Sequence, residues 1–353
     1  MITSRSCLMK TIFESYESLF FGQLKNRIAM TAMARGFAEK HCCTDLMHDY
    51  YFRRAKDGVG LILTEGLIIH PSGDGYNRTP HIWEHYQANS WKPLIKSAHD
   101  VNSKIVCQLW HCGRISHSDY TGGIRPVSST NIAAEGINRQ NNKPFSTPKR
   151  MSIEDINDVH DMYLHATGLA LETGFDALEL HLGHGYIADQ FFDSRINDRK
   201  DEYGGSIENR CRFSIELIDK VIKKYGADRV IVRISPSREM DGSYDWPDLD
   251  DMLKYFIPAL ETLGLKILDV SCARADYFNT SGRVIRMIRK LWKHEIIGGA
   301  SLSLEQANEE INLGLLDIVT WGRYLLANPD FVTKLRNGEK LNEFNQSLLS
   351  TLY

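Results

Sequence analysis

Three polar rings stand close together in the segment ELHLGHGYIADQFF, residues 179–192: His181, His184 and Tyr186. Apolar residues precede and follow them, so we expect the rings to lie where a buried strand gives way to a loop. An imidazole N–H can donate to a carbonyl oxygen that gains negative charge, and a phenol O–H can protonate carbon. The spacing leaves three alternatives: a metal site, side chains that satisfy loop carbonyls, or a donor cluster for a substrate oxygen.

A metal site is possible because H-x-x-H can supply two imidazole ligands. Metal-dependent barrel hydrolases usually draw further ligands from other strand ends, yet the first predicted strand, RIAMTA, contains no His, Asp or Glu. The convergence of three rings at one strand end weakens the second alternative, in which each merely satisfies a nearby carbonyl. The pattern favours a donor cluster, and because no side chain supplies hydride, that chemistry needs a cofactor such as a flavin.

The elements that must position these rings form a repeated pattern of strand, loop and helix. Helices are predicted at 44–57, 87–102, 207–225, 248–263, 283–292, 303–313 and 329–337, and one more begins after Ser152, an N-cap followed by Glu154 and Asp155. Eight strands are predicted, at 27–32, 59–66, 104–111, 176–181, 229–235, 267–272, 295–300 and 317–322. Such alternation implies parallel pairing, and eight units predict a (β/α)8 TIM barrel that forms one domain over residues 1–353.

Glycines cluster at the ends of the last two predicted strands, as Gly298, Gly299 and Gly322, with Arg323 following. The loops after strands seven and eight of such barrels commonly hold a phosphate. Glycine lets backbone N–H groups approach an anion, and arginine adds a charged contact. The dinucleotide fingerprint G-x-G-x-x-G is absent after a first strand. We therefore expect a phosphate site here, with turn glycines and a surface arginine as the alternative.

The overall composition is that of an ordinary soluble globular protein, with 353 residues, 42% hydrophobic, 25% charged and a net charge of -3. This balance gives no electrostatic reason to expect nucleic acid or a membrane as partner. The chain has seven cysteines and no C-x-x-C, which argues against a disulfide framework and a zinc ribbon. We expect a cytoplasmic protein, monomer or homodimer, that acts on a small-molecule substrate without a metal.

Six motifs, in matching order, resemble the Old Yellow Enzyme family of FMN-dependent ene-reductases. The most specific is HLGHGYIADQFFDSRINDRKDEYGGSIENRCRF, which begins at His181 and is similar to the family's signature segment. The others are NRIAMTAMAR at 26–35, GVGLILTEG at 58–66, QLWHCGRISH at 108–117, VRISP at 232–236 and WGRYLLANPDF at 321–331. The pattern looks most similar to the bacterial branch that includes pentaerythritol tetranitrate reductase and morphinone reductase.

The resemblance implies an NAD(P)H-dependent flavin oxidoreductase, with NADPH or NADH reducing a non-covalently bound FMN in ping-pong turnover. The reduced flavin would pass hydride to the C=C bond of an α,β-unsaturated carbonyl, or to a quinone or nitro compound. His181 and His184 would bind the carbonyl oxygen, and Tyr186 would protonate the α-carbon. Trp110 and Tyr76 would shape the substrate pocket.

The resemblance also implies the flavin contacts. Gln108 and Arg233 would bind the pyrimidine end of the ring. The remaining positions would line the ring or hold the phosphate, and they are Ala32, Met33, Ala34, Gly66, His181, Gly298, Gly299, Gly322 and Arg323.

Two departures from the family pattern bear on activity. The family usually has proline at the position of Ala32 and threonine or cysteine at that of Ala34, where the polar side chain tunes the flavin. Relatives also continue into a glycine-rich segment with an active-site tyrosine, whereas this chain ends LNEFNQSLLSTLY. We therefore expect a pocket more open on one side. The alternatives to an ene-reductase are a flavin-binding relative with little turnover and a metal-dependent barrel hydrolase.

Overall fold

A closed barrel of eight parallel strands forms the centre of the molecule, in a computed structural model that describes residues 9–240, 242–273 and 276–353. Each strand pairs with the next, and the eighth pairs with the first, so the sheet has no free edge. The strands are β1 Ile28–Met30, β2 Leu61–Ile68, β3 Lys104–Trp110, β4 Ala177–His181, β5 Val230–Ile234, β6 Ile267–Val270, β7 Glu295–Ala300 and β8 Ile318–Trp321. The predicted (β/α)8 barrel and its eight predicted strands are confirmed.

Helices surround the barrel and connect its strands. They are α1 Asp45–Asp57, α2 His85–Asn89, α3 Lys92–Asp100, α4 Ile153–Thr173, α5 Ile187–Phe192, α6 Ile207–Tyr225, α7 Leu249–Thr262, α8 Ser281–Ile288, α9 Leu304–Asn312, α10 Arg323–Ala327 and α11 Phe331–Asn337. The single helix predicted at 87–102 is wrong, because two helices occupy that span. Pro93 lies in the first turn of α3, where its missing N–H has no intrahelical acceptor to lose. Within the described residues, none of these helices has the length and apolar character needed to cross a membrane.

Side-chain alternation along the strands separates two apolar cores. In β4, Ala177 belongs to the cluster inside the barrel, whereas Leu178 and Leu180 pack against the helices. Glu179 and His181 follow Ala177 on the inward face, as the sequence pattern predicts. The inner cluster is completed by Leu24, Ala29, Leu61, Leu63, Val106, Ile231, Ile267, Ile297 and Ile318.

A hairpin near the N-terminus covers the end of the barrel where the strands begin. It pairs Tyr16–Ser18 with Gly22–Leu24, and Leu24 reaches the inner cluster. The Tyr16 and Ser18 hydroxyls both donate to the carboxylate of Glu295, the first residue of β7, at 2.8 Å each. Because this end is closed, access to the barrel is from the carboxyl ends of the strands.

Helix α4 brings the chain back to the start of β4, and its N-terminus is capped as the sequence predicts. The Ser152 hydroxyl accepts a hydrogen bond from the Asp155 N–H at 3.1 Å, and the Asp155 carboxylate accepts one from the Ser152 N–H at 2.8 Å. These reciprocal bonds satisfy two backbone donors that an uncapped helix leaves unpaired.

Replacing Ser152 by Ala should lower the free energy of unfolding by about 1 kcal/mol, because the helix loses its N-cap acceptor. Urea denaturation followed by circular dichroism measures this change. Ser15→Ala is the matched control, since Ser15 is exposed and lies outside the helices. Equal stability of the two variants would contradict a stabilising role for the cap.

Candidate active site

A cavity of about 740 Å³ opens at the carboxyl ends of the barrel strands. That volume lies in the range of small-molecule and cofactor sites, and this end of a barrel is where such sites form. Most of the residues predicted for the site border it: Ala32, Met33, Ala34, Gly66, Gln108, Trp110, His181, His184, Tyr186, Arg233, Gly299, Gly322 and Arg323. The barrel therefore brings together residues that are far apart in sequence.

The two histidines converge at the end of β4. His181 is the last residue of the strand, and its Nε2 lies 3.3 Å from Nδ1 of His184. His184 has a left-handed backbone with φ of 57°, and its N–H donates to the Ser235 hydroxyl at 2.7 Å. This anchored turn holds the two imidazoles at the cavity wall with 5.0 Å between their centroids and 67° between their planes.

The rings are held in the protonation states that donation requires. Removal from water, together with the positive charges of Arg233 and Arg238, keeps the pKa of both His181 and His184 well below the usual value. Burial and the neighbouring phenol of Tyr76 raise the pKa of Tyr186 well above its usual value. At neutral pH the imidazoles are therefore uncharged, each with one N–H, and Tyr186 keeps its proton.

Tyr186 is fixed by two other aromatic residues. Its hydroxyl lies 2.8 Å from the Tyr76 hydroxyl, and its ring meets that of Trp110 at 4.8 Å between centroids in an edge-to-face arrangement. The loop that carries Tyr76 is organised by Asp74, whose buried carboxylate accepts hydrogen bonds from the Tyr76 N–H and from the His81 ring. Tyr76 thus acts on the site through Tyr186 and Trp110.

A buried charged group lies below the histidines on β3 to β6. The Arg233 guanidinium has its Nη1 3.7 Å from the Glu179 carboxylate and 3.6 Å from that of Asp269, and Gln108 donates to Glu179 at 2.8 Å. Burial raises the pKa of both acids, and the charge of Asp269 raises that of Glu179 further. Nε and Nη1 of Arg233 are buried, and no described residue provides a hydrogen-bond acceptor for either atom. Unpaired donors of this kind fit the polar, oxygen-bearing edge of a flavin.

The predicted phosphate end is assembled from β7, β8 and the turn after β8. Gly299 has φ of 145°, and a Cβ there would collide with the Thr320 carbonyl oxygen, so the close approach of β7 to β8 requires glycine. Gly322 and Arg323 border the same part of the cavity. Gly298 does not border the cavity, because a side chain at this position would point into the outer layer. A Cβ there would lie 2.9 Å from Ile285 and from Leu316. Alternation along β7 accounts for this difference.

The segment after α11 also borders the cavity, through Phe344 and Leu349. The Arg35 guanidinium donates to the carbonyls of Leu348 and Thr351, at 3.0 and 2.7 Å, and so anchors the segment. The side that was expected to be open is therefore partly walled by the chain's own C-terminal residues. No sequence motif identifies Phe344 and Leu349 as cavity residues. A local sequence pattern also cannot predict a contact between residues that are more than 300 positions apart, such as Arg35 and Leu348.

Ser271 also borders the cavity, and sequence reasoning missed it as well. It directly follows β6, and the carboxyl ends of strands are where barrel enzymes place functional groups. That rule applied to the predicted strand at 267–272 would have found it.

Potential metal ligands converge at a different place in the described part of the chain, at His41, Asp74 and His81. The rings of His41 and His81 stack with 3.6 Å between centroids, so their in-plane lone pairs do not point at one common atom. His81 instead pairs with the Asp74 carboxylate at 2.7 Å. This group organises the Tyr76 loop and lies apart from the H-x-x-H pair.

Comparison with known proteins places the chain among flavin oxidoreductases. A sequence profile described as the NADH:flavin oxidoreductase / NADH oxidase family matches residues 18–342. The chain is 32% identical over 358 residues to 12-oxophytodienoate reductase 7 of Oryza sativa subsp. japonica, a match that covers 94% of this chain and 89% of the relative. It is 32% identical over 312 residues to 12-oxophytodienoate reductase 2 of Arabidopsis thaliana, covering 86% of this chain and 82% of the relative.

Solved structures show the same similarity. Morphinone reductase superposes with a TM-score of 0.88 at 30% identity, covering 98% of this chain and 94% of that one. The old yellow enzyme homologue from Zymomonas mobilis superposes with a TM-score of 0.87 at 28% identity, covering 96% of each chain. The chain therefore belongs to the NADH:flavin oxidoreductase / NADH oxidase family and is an FMN-dependent oxidoreductase of the Old Yellow Enzyme type that uses a nicotinamide as reductant.

Proposed function

We propose that residues 1–353 form one FMN-binding barrel whose cavity reduces the C=C bond of α,β-unsaturated carbonyl compounds at the expense of NADH or NADPH. The observation that carries this proposal is the pair of neutral imidazoles beside a buried and protonated Tyr186. Nε2 of His181 lies 3.3 Å from Nδ1 of His184. The relatives' names, morphinone reductase and 12-oxophytodienoate reductase, describe reductases of oxo compounds and support a carbonyl substrate.

The flavin would be held at two ends of the cavity. Gln108 and Arg233 would bind the polar edge of its ring, while Gly299, Gly322 and Arg323 would hold its phosphate. The backbone of residues 32–34, together with Gly66, would line the ring. When bound, FMN supplies the hydride, which no side chain of the protein can provide.

His181 and His184 would bind the carbonyl oxygen. Hydride addition to the β-carbon moves negative charge onto that oxygen, and two fixed N–H donors stabilise the charge as it develops. Each such donor typically contributes a factor on the order of 10² to 10³ in rate. Because both rings are uncharged and held in place, they need little rearrangement when the charge appears.

Tyr186 would give its proton to the α-carbon, which completes reduction of the double bond. Its raised pKa keeps the proton available at neutral pH. The contacts with Tyr76 and Trp110 limit the directions in which the phenol can point. We place the enzyme in the cytoplasm, as a monomer or homodimer. The cysteines at 42, 43, 107, 112 and 211 form no disulfide within the described residues, which is typical of a reducing compartment.

The purified protein should be yellow, release FMN when denatured, and oxidise NADH or NADPH when 2-cyclohexenone is supplied. Absorbance spectra and product analysis by gas chromatography measure both properties. FMN binding without formation of cyclohexanone would contradict the proposed reaction, while colourless protein that takes up no FMN would contradict the flavin site.

Replacing Tyr186 by Phe should slow reoxidation of the reduced enzyme by cyclohexenone about 10²- to 10⁴-fold, because the proton donor is removed. Reduction by NADPH should remain near the wild-type rate, since that step needs no proton from Tyr186. Stopped-flow absorbance measures the two half-reactions separately. Tyr255→Phe, on the outer face of α7, is the control, and an equal loss in both half-reactions would refute the assigned role.

The rate of the alkene half-reaction should show no inflection at the ordinary pKa of histidine, near pH 6.5, or of tyrosine, near pH 10. The reason is that the pKa of both histidines is lowered and the pKa of Tyr186 is raised. Protonation of the histidines would change the rate only at a pH below the ordinary histidine pKa, and loss of the Tyr186 proton would lower it only above the ordinary tyrosine pKa. A single-turnover profile with an inflection near pH 6.5 or near pH 10 would show ordinary pKa values and contradict this assignment.

A further inference from the structure

A chain of hydrogen bonds joins Arg233 to the two histidines through Ser271. The Arg233 Nη2 group lies 2.9 Å from the Ser271 hydroxyl oxygen, which lies 3.3 Å from Nε2 of His184. Nδ1 of His184 lies 3.3 Å from Nε2 of His181. The Ser271 N–H donates to the Ile234 carbonyl oxygen at 2.9 Å, which fixes the serine at the end of β6.

The chemistry of each group restricts the direction of these bonds. A guanidinium has only donors, so Arg233 donates and the Ser271 oxygen accepts. The Ser271 hydroxyl keeps its own proton, which it can donate to Nε2 of His184 at 3.3 Å. An imidazole that accepts at Nε2 and is uncharged carries its proton on Nδ1.

The position of that proton decides what His184 presents at the cavity. With Nδ1 protonated, the edge of the ring beside His181 is an N–H donor, and a carbonyl oxygen can accept from it in place of Nε2 of His181. With Nε2 protonated, the same edge presents a lone pair, which repels that oxygen. The two tautomers have the same shape and net charge, so the hydrogen bonds made at Nε2, to Ser271, and at Nδ1, to His181, decide between them.

We propose that Ser271 is a positioning residue that holds His184 in the Nδ1-protonated tautomer and thereby links the flavin-binding arginine to the substrate oxygen site. This inference deepens the proposed function and rests on His184 binding the substrate oxygen. Ser271 itself transfers no proton in the reaction. Ser271 instead raises the fraction of His184 that is in the tautomer able to donate to the substrate oxygen.

The test measures the His184 tautomer and phenol binding in the FMN-loaded enzyme. Protein labelled with ¹⁵N-histidine reports which ring nitrogen carries the proton, and the His184 signals are assigned by their loss in His184→Gln. Phenol titration, followed by long-wavelength charge-transfer absorbance, gives the dissociation constant. Wild type should show His184 protonated on Nδ1 alone.

Two variants and a control separate the role of the hydroxyl from packing. Ser271→Ala should give a mixture of tautomers and weaken phenol binding about tenfold. Ser271→Thr keeps the hydroxyl and should restore both properties toward wild type. Ser214→Ala is the control, since Ser214 is a buried serine on α6 whose hydroxyl has no hydrogen-bond partner among the described residues, and it should change neither.

Protonation of His184 on Nε2 in the wild type, or an unchanged tautomer in Ser271→Ala, would overturn the inference. Unchanged phenol binding in Ser271→Ala would overturn it as well. Failure of the proposed function looks different: the wild type would have His184 protonated on Nδ1 yet reduce no cyclohexenone. The tautomer is read without turnover, so the two failures are distinguishable.

Discussion

Strand register in the closed barrel is the constraint on which the site depends. Across β3 to β6, Gln108 pairs with Glu179, His181 with Arg233, and Arg233 with Asp269. Parallel pairing keeps these residues at neighbouring heights on the inward face, where they meet as one polar group. A slip of one residue in any of these strands would turn its side chain outward into the apolar helix layer. The apolar core therefore fixes the geometry of the polar site.

The same register creates an electrostatic arrangement that a loop could not maintain. Arg233 lies between two acids, Glu179 and Asp269, and all three are buried. Burial raises the pKa of both acids and so favours their uncharged forms, which carry no negative charge near the guanidinium. The remaining positive potential favours a cofactor edge that gains negative charge on reduction, and it keeps the adjacent imidazoles neutral.

Much of this architecture is predictable from sequence because it is local or periodic. The eight strands and the inward face of β4 follow from alternation, and the Ser152 cap follows from residue type and spacing. Gly298 shows the limit of such reasoning. The sequence contains two adjacent glycines at the end of β7 and does not show which of them faces the cavity and which faces the outer helix layer. Phe344 and Leu349 show another limit: they reach the cavity through contacts with distant residues that leave no local signature.

The C-terminal segment is attached in part through its main chain. The carbonyls of Leu348 and Thr351 accept from Arg35, and such acceptors exist whatever side chains surround them. Phe344 and Leu349 face the cavity from this segment, whereas oxygen binding and proton delivery reside at the end of β4. Mutations in the segment can therefore alter which molecules enter without disturbing the chemistry. Selectivity and reactivity are in this way free to evolve separately within one polypeptide.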